Sequence, residues 1–225
     1  MKRAIPFFAL CLSACCTQVS ATLVAYWNMD GSTVPSKLSV TSGSQAGSIT
    51  AGILDINGTV DPLIAGTSIN VEGPVGSPNY ALGFYRTTTI FNDGRFLMEG
   101  FNFSELTDVS VSFAYRSLGA FTWDSNLEVD YRIGNSSWVD VAELETWQSG
   151  YGLASIDLGS AVSGQEDVDI RIRTVNWLSI YGYLDVDNIQ VNAVPEPSGA
   201  AFWISAFAVG MIGFLRRNGD RRTYS

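Results

Sequence analysis

Apolar residues recur at every second position over most of the chain. Val109, Val111, Phe113 and Tyr115 alternate with Ser110, Ser112 and Ala114. Leu127, Val129, Tyr131 and Ile133 alternate with Glu128, Asp130 and Arg132, and Val168, Ile170 and Ile172 with Asp167, Asp169, Arg171 and Arg173. This period of two predicts half-buried antiparallel strands. Weaker alternation predicts further strands at 23–29, 48–56, 80–86, 95–103, 137–144, 153–158 and 183–193. Turn-forming clusters separate them: Asn57-Gly58, Asn92-Asp93-Gly94, Gly134-Asn135-Ser136 and Ser163-Gly164. No amphipathic helix of about ten residues is legible between residues 22 and 193. About ten short strands with regular turns predict an all-β, antiparallel two-sheet sandwich of jelly-roll type.

The last strand carries a break in phase. Leu184 and Val186 share one parity, and Ile189 and Val191 the other, with Asp187-Asn188 between them. Such a break predicts a β-bulge at Asp187-Asn188. The first strand runs Leu23 to Met29 and turns at Asp30-Gly31. Its opening Ala25-Tyr26-Trp27-Asn28 and the closing Asp187-Asn188-Ile189-Gln190-Val191 resemble jelly-roll, laminin-G-like modules. The resemblance implies that the terminal strands pair and that nearby Asp and Asn residues hold a structural calcium. Asp30, Asp185, Asp187 and Asn188 are the candidate calcium ligands, since calcium takes six to eight oxygens. The plainer alternative is that they line a solvated strand face and satisfy the bulge. No D-x-[DN]-x-[DN]-G loop supports a calcium hand.

Both ends break the pattern. Met1-Lys2-Arg3, an apolar run from Ala4 to Leu12 and the closing Val19-Ser20-Ala21 form the three parts of a secretory signal peptide. This predicts Sec-dependent export with removal of residues 1–21. Leu12-Ser13-Ala14-Cys15 resembles a lipobox, the alternative cut, which would leave Cys15 lipidated. At the other end, Val194-Pro195-Glu196-Pro197 precedes an uncharged stretch from Ser198 to Leu215, then Arg216-Arg217 and Arg221-Arg222. Eighteen helical residues span about 27 Å, close to a bilayer core. The arginine pair predicts a cytoplasmic end. Small residues such as Gly199, Ala206, Gly210 and Gly213 suit a membrane helix.

Residues 194–225 resemble the PEP-CTERM sorting signal of Gram-negative bacteria. Val194, Pro195, Glu196, Pro197, Arg216 and Arg217 carry the match. The resemblance implies that the 198–215 helix holds the exported protein in the inner membrane. An exosortase-type protease then cuts near the motif, and the domain passes to the cell surface or extracellular matrix. A permanent single-span anchor is the alternative. In either case Pro195 and Pro197 predict an extended spacer.

Composition narrows the chemistry of what remains. The chain has 225 residues, a formal net charge of −9, no histidine and three cysteines. The cysteines, Cys11, Cys15 and Cys16, all fall inside the signal peptide. Residues 22–193 hold one Lys and six Arg against 20 Asp and Glu, a net charge of −13. Nucleic-acid binding is excluded as a leading function, because phosphate neutralisation needs clustered cations. No disulfide staples this segment, so its core must hold it. Without histidine there is no Ser-His-Asp triad, Cys-His pair or imidazole metal site.

Carboxylates are the only catalytic candidates. Glu128-Val129-Asp130 resembles the first half of the E-x-D-x-x-E strand motif of a jelly-roll glycosidase family. Arg132 stands on the same face where an acid/base partner would be sought, and 131–133 contains no Glu. Glu143 and Glu145, two apart on a strand, are a second carboxylate pair at a spacing of about 7 Å. Among the aromatics, Trp27 and Trp138 fall within predicted strands and are expected in the core. Trp123, Trp147 and Trp177 fall near turns, where they could form a platform for sugar rings or cap the sandwich. The expectation is a non-enzymatic envelope or matrix protein associated with exopolysaccharide, with no cofactor beyond the candidate calcium. The alternative is a secreted glycosidase on the same scaffold.

Overall fold

The computed structural model describes residues 20–30, 37–38, 40–54, 58–73, 79–86, 95–118, 126–145, 149–175 and 183–196. Among these no residue is helical. The strands are β1 (Thr22–Trp27), β2 (Lys37–Leu38), β3 (Thr50–Leu54), β4 (Gly58–Ala65), β5 (Tyr80–Arg86) and β6 (Arg95–Phe101). After them come β7 (Leu106–Leu118), β8 (Asn126–Ile133), β9 (Val139–Glu145), β10 (Gly152–Asp157), β11 (Val168–Val175) and β12 (Tyr183–Pro195). Two antiparallel sheets form. Sheet A runs β10-β7-β12-β5-β4, with β1 also paired to β12. Sheet B runs β2-β3-β6-β11-β8-β9. Apart from the chain-consecutive pairs β2-β3, β4-β5 and β8-β9, sheet neighbours are not chain neighbours, so each sheet interleaves strands from distant parts of the sequence.

The inward-facing positions are those of the period-two pattern. Val109, Val111 and Phe113 of β7 meet Val129 of β8 and Ile170 and Ile172 of β11 in one shared core. Trp27 and Phe96 join the two sheets edge to face, with ring centroids 5.6 Å apart. Truncating one such buried aromatic costs about 3–5 kcal/mol. The indole Nε1 of Trp27 is buried without a hydrogen-bond partner. Its ring area therefore outweighs a desolvation cost of about 1–3 kcal/mol.

Two strands were hidden in the sequence. β4 begins at the Gly of Asn57-Gly58 and contains Pro62, so it reads as a turn followed by a breaker. It survives because it is an edge strand and its pairing with β5 slips between Asp61 and Ile64, around the proline. β2 has two residues, too few to show periodicity.

The bulge occurs where the phase break predicts it. Along one edge of β12, β5 pairs with 183–186 and β1 with 189–193. The change of neighbour falls at Asp187 and Asn188, where register with β7 also shifts. Asn188 takes a positive φ of 50°. The terminal strands β1 and β12 pair antiparallel. β12 runs past the predicted end at 193: Val194 and Pro195 face Thr107 and Leu106, and the Glu196 amide donates to the Glu105 carbonyl. The first residues of the Val-Pro-Glu-Pro motif are thus extended, as the prolines predict, but they finish a strand rather than forming a free spacer. The signal peptide before Ser20, Cys15, Pro197, the 198–215 stretch, Arg216 and Arg217 lie outside the described residues.

Candidate functional site

The outer face of sheet B carries a lattice of charge around one indole. Strand pairing sets Arg171 between Leu97 and Asp130, with Asp140 beyond, and Arg173 between Arg95 and Glu128, with Glu143 beyond. Arg132 lies opposite Asp169. Period two puts these residues outside because their neighbours Phe96, Leu127, Val129, Ile170 and Ile172 point inward. The Arg132 guanidinium donates to Asp169 at 2.7 Å and approaches Glu99 at 3.7 Å. Arg171 and Arg173 both donate to Asp130 Oδ2, Arg173 at 2.8 Å. Arg173 also binds Glu128 and reaches Asp140 at 3.5 Å.

Trp138 completes this face. The guanidinium carbons of Arg132 and Arg171 stand 4.7 and 4.2 Å from its ring centroid. Both arginines rise from the sheet, so the indole lies across them. It is half-buried, not in the core as its place within the predicted strand 137–144 suggests; the observed strand starts one residue later, at Val139. Asp140 pairs with the outward Asp130 and Ala142 with the inward Val129, so the register shift at Val141 leaves Trp138 and Asp140 outside while Ala142 and Leu144 pack against the core. The arginines fix the ring by cation–π contact.

Burial dominates the electrostatics here. Asp130 is fully buried, and burial raises its carboxyl above the usual range, with Arg171 opposing and Asp140 adding to the rise. Its Oδ1 has no hydrogen-bond partner. Burial also raises Glu128 despite Arg173. Carboxylate oxygens of Glu128, Asp130 and Asp140 lie within 4.8 Å of one another, the only such acidic triad among the described residues. Arg171 and Arg173 already bond Asp130, and Arg173 also Glu128 and Asp140, so this triad is an ion-paired network before it is a cation site.

The outer face of sheet A is organised differently. Residues 66–73 run across the bulge and are tied down by polar side chains. Asn188 Nδ2 donates to the carbonyls of Thr67 and Ile69 at 2.8 and 3.0 Å, and its Oδ1 accepts from the Tyr26 hydroxyl at 2.8 Å. Asn70 Nδ2 donates to the Asn188 carbonyl and Gln190 Nε2 to the Asn70 carbonyl. Asp187 accepts from the amides of Thr67 and Asn188, both at 2.8 Å. Burial, with Asp30 and Asp185 nearby, pushes its carboxyl up to about 7.

The four candidate calcium ligands therefore divide. Asp185 is fully buried and its Oδ2 lies 2.6 Å from Arg116 Nε. Asn188 spends its amide on the 66–73 segment. Asp187 and Asp30 remain, and two oxygens the sequence did not single out join them. At Gly66, a Cβ would overlap Asn79 Oδ1 and lie 2.7 Å from Asp187 Oδ2 and 2.8 Å from the Tyr80 carbonyl. Asp30 Oδ1 accepts from the Tyr80 amide at 3.1 Å. These are oxygen donors of the kind a hard cation such as calcium takes.

The remaining candidates are placed as follows. Glu143 and Glu145 are exposed on the edge strand β9. Glu143 faces Glu128 across β8 and β9 and accepts from Asn126, while Glu145 lies opposite Asn126. Trp123, Trp147 and Trp177 lie outside the described residues.

Fold and faces together define an antiparallel β-sandwich with one polar, aromatic-bearing outer sheet. No protein-family model matches the chain, and no curated protein matches it in sequence. Similar solved structures include the CBM22-1 xylan-binding domain from Paenibacillus barcinonensis Xyn10C, at 12% identity and TM-score 0.46, covering 79% of this chain and 98% of that one. Another is a family 11 carbohydrate-binding module from Clostridium thermocellum with a bound β-1,3-1,4-mixed-linked tetrasaccharide, at 11% identity and TM-score 0.42, covering 77% and 99%. A third is an exo-β-agarase, at 13% identity and TM-score 0.48, covering 78% of this chain and 25% of that one.

Proposed function

We propose that this is an exported, non-enzymatic β-sandwich protein of the cell envelope or extracellular matrix, which binds polysaccharide on the outer face of sheet B. The observation that carries the reading is Trp138, pinned over Arg132 and Arg171 beside a row of carboxylates. A sugar ring has apolar C–H faces and a polar rim. The indole offers the first a flat surface, and carboxylates and guanidinium groups offer the second acceptors and donors. Paired arginines hold the ring in place before a ligand arrives, which lowers the ordering cost of binding. The test is a glycan array and titration calorimetry with the full chain in mild detergent. Trp138→Ala is expected to weaken binding at least tenfold. Unchanged affinity would refute this face as the site.

Processing follows the same reading. The tail is taken as an exosortase-processed signal after Sec-dependent export, supported by the order of motif, apolar stretch and arginines. Mass spectrometry of the native protein tests it: retention of Trp203 and Met211 after export would leave a permanent anchor, and a lipidated Cys15 would replace cleavage after Ala21. Calcium is taken as a structural ion held by Asp187, Asp30, Asn79 and the Tyr80 carbonyl. There it would neutralise buried carboxylates and tie β12 to the segments before β5.

The glycosidase reading has one observation of its own. Glu128, with a raised carboxyl, faces the exposed Glu143 across two strands, an arrangement able to supply an acid and a base. Release of reducing sugar that is abolished by Glu128→Gln or Glu143→Gln would establish it.

A further inference from the structure

We infer that the outer face of sheet B selects uncharged polysaccharide over acidic polysaccharide; the inference rests on the glycan-binding reading above. Recognition of a uronate or sulfate needs a guanidinium whose donor fork is open to the ligand. Here Arg132 is turned onto Asp169 and Glu99, Arg171 onto Asp130, and Arg173 onto Glu128, Asp130 and Asp140. Arg95, the fourth, has no ion pair among the described residues; it faces Arg173 across the strands, and its Nε is buried without a hydrogen-bond partner, so that donor is not presented to a ligand.

The groups left pointing at solvent are carboxylates. The Asp140 side chain is 71% exposed and that of Glu99 48%, and Glu143 is exposed at the edge. A carboxylate only accepts hydrogen bonds. A sugar hydroxyl can donate to these groups, whereas the carboxylate of a uronate is repelled by them. Acidic residues outnumber arginines on this face. The surrounding domain, at −13 over residues 22–193, adds a field of the same sign. The selected ligand class is thus a neutral polysaccharide that presents hydroxyl donors to the acids and one C–H face to Trp138.

The test uses the full chain in mild detergent with size-matched neutral chains (xylan and mixed-linkage β-glucan oligosaccharides) and oligouronates, each in chelator and in calcium at low salt. At least one neutral chain is expected to bind about tenfold more tightly than the oligouronates, with the gap narrowing as salt screens the repulsion. Asp140→Lys is expected to raise the uronate-to-neutral affinity ratio. Oligouronates binding as tightly as neutral chains, with or without calcium, would overturn the selectivity alone if Trp138→Ala still abolished both. A ratio unmoved by Asp140→Lys would also overturn it. No binding to any glycan would overturn the glycan reading and this inference with it.

Discussion

Replacing Asn188 by Ala should unfasten the 66–73 segment from sheet A. Asn188 is 2% exposed, and its side chain makes three hydrogen bonds, to Thr67, Ile69 and Tyr26. Each contributes about 1 kcal/mol net, and a buried group left unpaired costs about 1–3 kcal/mol. The left-handed φ adds a further ~1 kcal/mol for Ala, because Asn tolerates that region by local hydrogen bonding and Ala does not. Thr67 and Ile69 are half-buried, so water recovers part of the loss. The expected destabilisation is about 3–4 kcal/mol, a large share of the ~5–15 kcal/mol typical of a domain. For a domain of this length that lowers Tm by about 6–16 °C. Urea unfolding followed by circular dichroism and Trp fluorescence measures it, with coincident curves checking two-state behaviour. Asn188→Gly removes the same bonds but relieves the backbone, so it should be about 1 kcal/mol less harmful. A loss below about 1 kcal/mol for Ala, or Gly no better than Ala, would refute the assignment of Asn188 as the fastening residue.

Further outcomes follow from other sites. Gly43→Ala should destabilise severely, because at a φ of 128° the new Cβ would press into the Val24 carbonyl; near-wild-type stability would show that the 41–49 turn does not abut β1. Asp187 has a raised carboxyl in the folded state, so the native protein binds its proton more tightly than the unfolded chain does. In chelator, stability should therefore rise as pH falls from about 7 towards 4, Glu128 and Asp130 shifting the same way, and no histidine titrates in that window. Saturating calcium should raise Tm and flatten this dependence near neutral pH; a flat profile in chelator would count against the buried Asp187. Arg116→Ala should lower Tm by removing the ion pair to the buried Asp185, read by thermal unfolding; an unchanged Tm would count against that pair.

The strands with strong alternation, β7, β8 and β11, were legible because each has one face in the core and one outside. The bulge at Asp187-Asn188 was legible for the same reason, since a change of face shows as a change of parity. β4 was not legible: its proline and Asn-Gly start argue against a strand, and only its position at a sheet edge makes them harmless. Trp138 shares its parity with the core-packed Ala142 and Leu144, and only the register shift at Val141 turns it outward. Treating a tryptophan near a strand as core concealed it. Asn79 and the Tyr80 carbonyl carried no signal, since a single amide and a backbone oxygen look alike in any sequence.

Local pattern by itself determined the class of this protein: an all-β fold, an acidic domain without histidine or cysteine, and two terminal segments of different character. Each depends on residues near one another in the chain, or on totals. Tertiary structure decided which charges meet. Arg173 and Glu128 are 45 residues apart, and Asp187 and Thr67 are 120 apart, yet each pair bonds directly. Interleaved strand order creates those encounters. Whether a carboxylate becomes a buried partner, as Asp130 and Asp185 do, or an exposed acceptor, as Asp140 does, is set by the strand laid beside it and not by its own sequence neighbours.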